Sequence, residues 1–218
     1  MVRCIVLCLF LVGCNQQKRA LVLSETRGYR HASIETGVQV VAEIARELDL
    51  DVITTEDSSL LCDEKYDVVV FLNTSGNILN EEERIALKQN IQSGCGFVGV
   101  HSAADTEYEW DWYGEKLLGA WFVSHPPVSE SMIEVVNREH PSTSHLPEKW
   151  FCVDEWYVYD RMPDGATILM NVNNHPIAWC SEIGSGRSFY TGRGHPMSSF
   201  NETDFINHIK GGIAWVLQ

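Results

Sequence analysis

The sequence predicts an α/β domain with a mainly parallel central sheet. Over the first hundred residues, short apolar segments alternate with segments whose apolar residues recur at helical spacing. Residues 66–72 are almost continuously apolar, which is typical of a strand buried on both faces of a parallel sheet. The chain has 218 residues, of which 44% are hydrophobic, so one domain with a substantial core is expected.

The first half of the chain is predicted to alternate strands with two helices. Strands are expected at residues 20–23, 51–54, 66–72 and 97–100. Ser33 is a predicted N-cap of a helix whose apolar residues recur up to Leu48. Asn80 and Glu83 have the spacing of a capping box, which predicts a second helix that ends near Gln92.

The second half is predicted to add extra short strands and one final helix. The strands are expected at residues 131–136, 151–159, 167–170, 177–181 and 187–190, and the helix at 204–217. Alternation along a strand would place Asp154 and Glu155 on opposite faces, so only one of the two is expected to face inward.

The charge balance excludes one class of partner. The chain has 30 acidic and 16 basic residues and a formal net charge of −14. An acidic surface repels phosphate backbones, and the sequence has no compensating run of Lys or Arg. Nucleic acid is therefore not an expected partner.

The N-terminus has the pattern of an export signal. Arg3 precedes an apolar run at residues 4–12, which is too short to span a bilayer, since about 20 apolar residues are needed. Residues 11–14 are similar to a bacterial lipobox, which implies cleavage before Cys14 and acylation of that cysteine; an ordinary signal peptide is the alternative. We expect a signal peptide at 1–13, a lipidated tether at 14–19 and a domain at 20–218. The protein would be exported and lipid-anchored to the outer membrane or the periplasmic face of the bacterial membrane.

The cysteines of the expected domain show no metal-binding spacing. They are Cys62, Cys95, Cys152 and Cys180, and none forms a Cys-x-x-Cys pair. A zinc knuckle is not expected, and isolated buried thiols are favoured over disulfides.

Several histidines follow predicted strands. Ligands bind beyond the carboxyl ends of the strands in open α/β sheets, and His31, His101 and His195 all lie at such ends beside glycines. We expect them to converge on one rim, with His125 as a further candidate for substrate binding. Asp105, also after a strand, is a candidate catalytic residue that orients a histidine or binds a sugar hydroxyl.

Other polar and aromatic residues are candidates for substrate binding. Glu155, Trp156 and Tyr157 combine a carboxylate with aromatic side chains, as carbohydrate sites often do. Arg30 and Arg193 are candidates for binding hydroxyl or carbonyl oxygens, although a solvated surface role is equally plausible for either.

Ser102 follows a predicted strand in a partial nucleophile-elbow pattern. The full Gly-x-Ser-x-Gly motif is absent, so a polar ligand contact or a helix cap is favoured over a nucleophile.

Five segments together resemble the ThuA-like family, which is named for trehalose utilisation. They are residues 28–34, 96–105, 119–126, 154–157 and 175–195. The resemblance extends from about residue 20 to residue 218. It implies the flavodoxin-like three-layer sandwich of class I glutamine amidotransferases. An apolar residue is expected in the family at the position of Arg193, which suggests a change of specificity here.

The resemblance does not extend to glutaminase chemistry. The amidotransferase superfamily uses a Cys–His–Glu triad whose cysteine lies near the positions of His101 and Ser102, and no cysteine is present there. Met197 also stands where the triad glutamate is expected. Without a thiolate the reaction has no nucleophile.

The family resemblance implies a role in carbohydrate metabolism. ThuA-like proteins are associated with disaccharide catabolism beside oxidoreductases that form 3-keto-sugars. The leading hypothesis is an enzyme that acts on a sugar or keto-sugar, with His31, His101 and His195 as acid–base or polarising groups. No cofactor is required by the sequence. A divalent metal bound by the three histidines with Asp105 or Glu155 is left open. The alternatives are a metal-dependent hydrolase and a non-catalytic sugar-binding lipoprotein, and a homodimer is not excluded.

Overall fold

The structure is a computed structural model that describes residues 17–218. The predicted signal peptide and Cys14 lie outside these residues. Among the described helices, none has the length and hydropathy needed to cross a membrane.

Nine of the eleven strands form one mixed sheet. The strands are β1 Arg19–Leu23, β2 Asp51–Thr55, β3 Val68–Leu72, β4 Gly96–Val100, β5 Phe122–Ser124, β6 Ser129–Val135, β7 Lys149–Asp154, β8 Val158–Tyr159, β9 Thr167–Val172, β10 His175–Ile183 and β11 Gly186–Thr191. The order in the sheet is β2-β1-β3-β4-β11-β10-β9-β6-β7, and β5 pairs with β8 in a separate ribbon. The first five strands in this order are parallel and the remaining pairings are antiparallel. The parallel part has the flavodoxin-like order, which confirms the predicted fold class.

Helices cover both faces of the parallel part. They are α1 Ile34–Glu47, α2 Leu60–Asp63, α3 Glu81–Gln92 and α4 Thr203–Val216. Alternate residues of β3 divide between two cores: Val70 packs in the cluster that contains residues of α1 and α4, and Phe71 packs in the cluster that contains Leu87 and Ile91 of α3. This alternation, with period two along the strand, produces the three-layer sandwich.

The two predicted helix caps have different outcomes. The capping box of α3 is confirmed, because the backbone N–H of Glu83 donates to Asn80 Oδ1 at 3.0 Å and that of Asn80 donates to Glu83 Oε2 at 2.8 Å. Ser33 precedes α1, but its side chain makes no capping hydrogen bond. Its hydroxyl instead donates to the carbonyl oxygen of Gly194 at 3.0 Å, so a tertiary contact replaces the local one.

The predicted strand at 151–159 is wrong as a single element. The chain leaves β7 after Asp154 and re-enters a strand only at Val158. Because the alternation stops there, Asp154 and Glu155 are both buried, at 0% and 6% exposure, rather than on opposite faces. The irregular segment between β7 and β8 brings Glu155 and Tyr157 into the pocket described below.

The four cysteines of the described chain are unpaired, as expected. Cys95, Cys152 and Cys180 are buried, and Cys62 is exposed.

The capping box of α3 provides a test of the fold. Asn80→Ala should lower the free energy of unfolding by about 1 kcal/mol, because the backbone N–H of Glu83 loses its acceptor at the helix N-terminus. Urea denaturation measures this change, and Gln89→Ala on the exposed side of the same helix is the matched control. Equal stability of the two variants would contradict the cap assignment.

Candidate active site

Three histidines meet at one edge of the sheet. His31, His101 and His195 follow β1, β4 and β11, whose parallel register brings their carboxyl ends to the same rim. The ring centroids lie 4.8 Å apart for His31 and His101, 5.0 Å for His31 and His195, and 5.4 Å for His101 and His195. The structure thus brings together the three histidines that the strand positions indicated.

His101 occupies a strained backbone position at the end of β4. Its φ of +49° lies in the left-handed region, which a non-glycine residue adopts at a cost in free energy. Its Nδ1 lies 2.8 Å from the carbonyl oxygen of Gly192, and the Tyr190 hydroxyl donates to the His101 carbonyl at 2.9 Å. Since a carbonyl only accepts, Nδ1 carries a proton, and the lone pair of the neutral ring is on Nε2.

Glu155 lies among the histidines as the acidic member of the site. Its Oε2 is 3.5 Å from His101 Nε2 and 3.2 Å from His195 Nδ1, and its Oε1 is 3.1 Å from His125 Nδ1. Burial raises the pKa of Glu155, but its interactions with these three histidines outweigh burial, so the pKa is lowered overall. Glu155 is therefore an ionised carboxylate at neutral pH.

Burial favours the neutral form of two of the histidines. Burial, together with the neighbouring His101 and His195, lowers the pKa of His31 to about 3. Burial also lowers the pKa of His195, against the opposing effect of Glu155. Imidazole nitrogens beside a carboxylate form a site rich in electron-pair donors.

A pocket of about 350 Å³ opens onto this cluster. It is lined by Tyr29, His31, Asp105, Phe122, His125, Glu155, Tyr157 and His195. Its aromatic walls offer apolar faces of the kind that pack against sugar rings. A larger cleft of about 540 Å³ lies where β1, β3 and β4 begin and has no histidine in its lining.

Asp105 lies on the pocket wall, as its position after β4 indicated. Burial raises its pKa, and the hydroxyl of Tyr108 donates to its Oδ1 at 2.7 Å. One carboxylate oxygen is thereby held by the protein while the residue lines the pocket.

Three predicted substrate-binding residues lie away from the pocket lining. Arg30 is exposed and pairs with Glu35 and Glu56 at 2.9 and 2.8 Å, so its surface role is the one observed. Trp156 is buried in the core and donates to the carbonyl of Ser129. Ser102 is fully buried, with Oγ 3.2 Å from His31 Nδ1. The strained elbow belongs to His101, so Ser102 does not have the geometry of an elbow nucleophile.

Arg193 is also not a pocket residue. It is fully buried, with Nε 3.3 Å from Asp154 Oδ2 and Nη2 3.0 Å from Glu202 Oε2. Its guanidinium packs over the rings of Trp150 and Phe205. The unexpected charge is explained by an internal ion pair, and Arg193 is not among the residues that line the pocket.

Asp154 was not predicted as a site residue, but it positions the site. Its oxygens accept hydrogen bonds from the backbone N–H groups of Gly194 and His195, both at 3.1 Å, and from the Ser199 hydroxyl at 3.1 Å. It therefore ties the end of β7 to the loop that carries His195. No local pattern signals this role, because the partners are about 40 residues away along the chain.

Tyr29 and Phe122 line the pocket but were not singled out as site residues. Tyr29 is 64% exposed and meets His31 edge to face at 4.8 Å. The sequence signal that could have identified Tyr29 is its position in a polar loop, two residues before a candidate histidine.

The chain matches the family described as trehalose utilisation (ThuA) over residues 19–216. Among solved structures, a protein of Bacteroides uniformis ATCC 8492 described as ThuA-like is 25% identical, with 95% of each chain covered and a TM-score of 0.76. One of Parabacteroides merdae ATCC 43184, also described as ThuA-like, is 19% identical, with 93% of this chain and 90% of that chain covered and a TM-score of 0.78. A β-galactosidase of Bacillus circulans sp. alkalophilus shares the fold at 14% identity and a TM-score of 0.62, over 91% of this chain but 31% of its own. None of the curated proteins matches the chain.

The buried ion pair provides a second test. Arg193→Met and Asp154→Asn should each destabilise the protein by about 3–5 kcal/mol, because each leaves a buried charge without its partner. The double variant should lose less than the sum, with a coupling of about 0.5–3 kcal/mol. Denaturant unfolding of the four proteins measures the cycle, and strictly additive losses would show that the two side chains act independently.

Proposed function

The chain belongs to the trehalose utilisation (ThuA) family, and on that premise we propose that it is an enzyme that moves a proton beside the carbonyl of a keto-sugar. The observation that carries the proposal is the pocket in which one ionised carboxylate is surrounded by imidazoles. Aromatic walls and Asp105 supply the contacts that a sugar needs.

His125 is the proposed base. Its Nδ1 lies 3.1 Å from Glu155 Oε1 and 2.9 Å from the carbonyl oxygen of Pro126. Both neighbours are acceptors, so Nδ1 carries the proton and Nε2 keeps its lone pair. With 38% of its side chain exposed, His125 is the most accessible of the four histidines around Glu155 and can reach a bound substrate.

The floor of the pocket has the complementary role. His31 and His195 line the pocket beside Glu155, and an imidazole N–H of this group would donate to the carbonyl oxygen and polarise it. Asp105, on the wall, would accept a hydrogen bond from a sugar hydroxyl.

The proposed step balances without a redox partner. Nε2 of His125 takes the proton from the carbon beside the carbonyl, the C–H electron pair becomes the C=C bond, and the carbonyl oxygen takes the negative charge. Return of a proton to the other face of that carbon gives an epimer. If that carbon carries a hydroxyl, delivery of the proton to the former carbonyl carbon gives the isomeric ketone, because the hydroxyl proton passes to the former carbonyl oxygen and the hydroxyl oxygen becomes the new carbonyl. If a glycosidic oxygen on the next carbon leaves with its electron pair and accepts a proton, the glycoside is eliminated.

Glutamine hydrolysis is not proposed. The elbow after β4 holds an imidazole, and the nearest cysteine in the sequence, Cys95, is buried at the start of that strand. Burial raises its pKa to about 12, so it is a poor source of thiolate.

The test is deuterium exchange followed by NMR. The purified protein is incubated in D2O with trehalose, other glucosides and their 3-keto derivatives. Deuterium should enter the keto-sugar or a new product should form. His125→Ala should lower the rate by about 10²- to 10⁴-fold, the usual contribution of a general base. His145→Ala, an exposed histidine outside the pocket, is the control. Sugar binding with neither exchange nor product would contradict the enzyme and indicate a binding protein.

We also propose that the protein is exported and anchored through acylated Cys14, which lies outside the described residues. Cys14→Ser should move the protein from the membrane fraction to the soluble fraction, because the acyl chains supply the anchor. Mass spectrometry of the unaltered N-terminus should show the lipid. An unmodified Cys14 would contradict this proposal.

A further inference from the structure

We propose that His31, His101, His195 and Glu155 bind one divalent transition-metal ion of the Zn²⁺ type. One ligand atom from each of the four residues lies within 4.8 Å of those from the other three. The inference deepens the proposed function by naming the electrophile on the pocket floor. The role assigned to the ion rests on the proposed function, but the binding of the ion does not.

The shortest separations fit metal coordination. His195 Nδ1 and His101 Nε2 lie 3.2 and 3.5 Å from the same carboxylate oxygen, Glu155 Oε2. Two ligands of a tetrahedral zinc ion, each bound at 2.0–2.1 Å, are about 3.4 Å apart. The ligand atom of His31 lies within 4.8 Å of the other three.

Two buried ring nitrogens of the cluster point at the Glu155 carboxylate. His101 Nδ1 lies against the Gly192 carbonyl, so the Nε2 of this ring is the nitrogen that faces Glu155. Within the described chain, His101 Nε2 and His195 Nδ1 are buried and have no hydrogen-bond partner. A buried acceptor without a donor is costly, and a metal ion shared by these atoms removes that cost.

Outer contacts orient the ligands as metal sites require. The Gly192 carbonyl selects the tautomer of His101, and the Ser102 hydroxyl lies 3.2 Å from Nδ1 of His31. The backbone N–H groups of Glu155 and His195 both donate to Asp154 Oδ1, at 2.9 and 3.1 Å. Ligating histidines usually have such a partner on the second ring nitrogen, which fixes the ring orientation.

The types of ligand atom also indicate which metal would bind. Three nitrogens and one oxygen match the preference of zinc and its first-row neighbours. Magnesium and calcium prefer sites made entirely of oxygen.

The position of the ion explains the layout of the pocket. His31, His195 and Glu155 line the pocket, so the ion would face it, and a substrate oxygen could bind as a fifth ligand if the coordination expands from four to five. As a Lewis acid it would polarise the carbonyl whose neighbouring carbon loses a proton to His125.

The experiment measures metal binding directly, in the full chain. Elemental analysis of protein purified without chelator should give about one transition-metal ion per chain. Calorimetric titration of EDTA-treated protein with Zn²⁺ should give the same stoichiometry, and Co²⁺ should give visible absorption bands. Loss of an outer-shell contact alone costs about 10- to 100-fold in metal affinity, so His101→Ala and Glu155→Gln should weaken Zn²⁺ binding by at least about 100-fold.

The controls separate metal binding from folding. His140→Ala removes another buried histidine that is not part of the cluster and should bind Zn²⁺ as the unaltered protein does. Glu155→Gln keeps the size of the side chain, and circular dichroism checks that each variant is folded. Zn²⁺ affinity that is equal in the folded Glu155→Gln and His140→Ala proteins would overturn the proposal, as would an absence of Zn²⁺ binding.

The two proposals fail in different ways. Metal binding that depends on Glu155, with no reaction of any keto-sugar, would leave the metal site standing and overturn the proposed function. Full turnover by metal-free protein would overturn the metal site and leave His125 chemistry in place.

Discussion

The site depends on one buried carboxylate, that of Asp154. It stands at the end of β7 and accepts the backbone N–H groups of Gly194 and His195 in the loop after β11. The next residue along the chain, Glu155, also donates its own N–H to this carboxylate. The acidic residue of the site and one of its histidines are therefore positioned by the same group.

This arrangement buries the negative charge of Asp154, and a neighbouring positive charge compensates it. Arg193 pairs with Asp154 and with Glu202, and its guanidinium lies between the rings of Trp150 and Phe205. Replacing a buried ion pair with apolar residues is often neutral for stability, so stability alone does not account for such a pair. Here the ion pair supports a carboxylate whose two oxygens also accept hydrogen bonds from both loops. These contacts of Asp154 and Arg193 specify the geometry of the pocket.

The two halves of the sheet contribute different parts of the site. The parallel strands β1, β4 and β11 place His31, His101 and His195 at one rim, as the flavodoxin-like order allows. The antiparallel half provides Glu155 and Tyr157 from the segment between β7 and β8. The added strands thus place a carboxylate and an aromatic ring beside the histidines and complete the lining of the pocket. The elbow after β4 holds the imidazole of His101 on a backbone in the left-handed region.

The sequence by itself determined the fold class, the capping box of α3 and the rim where three histidines meet. These features depend on local periodicity and on the rule that parallel strands end at the same edge, both of which can be read from the order of residues. It did not determine the roles of Arg193, Ser102 and Trp156, which were expected near substrate and are buried in the interior. Nor did it determine that Asp154 and Glu155 are both buried, because the chain leaves the strand between them. Those outcomes were decided by tertiary contacts between residues tens of positions apart, and no local pattern records the partner that a buried charge finds across the fold.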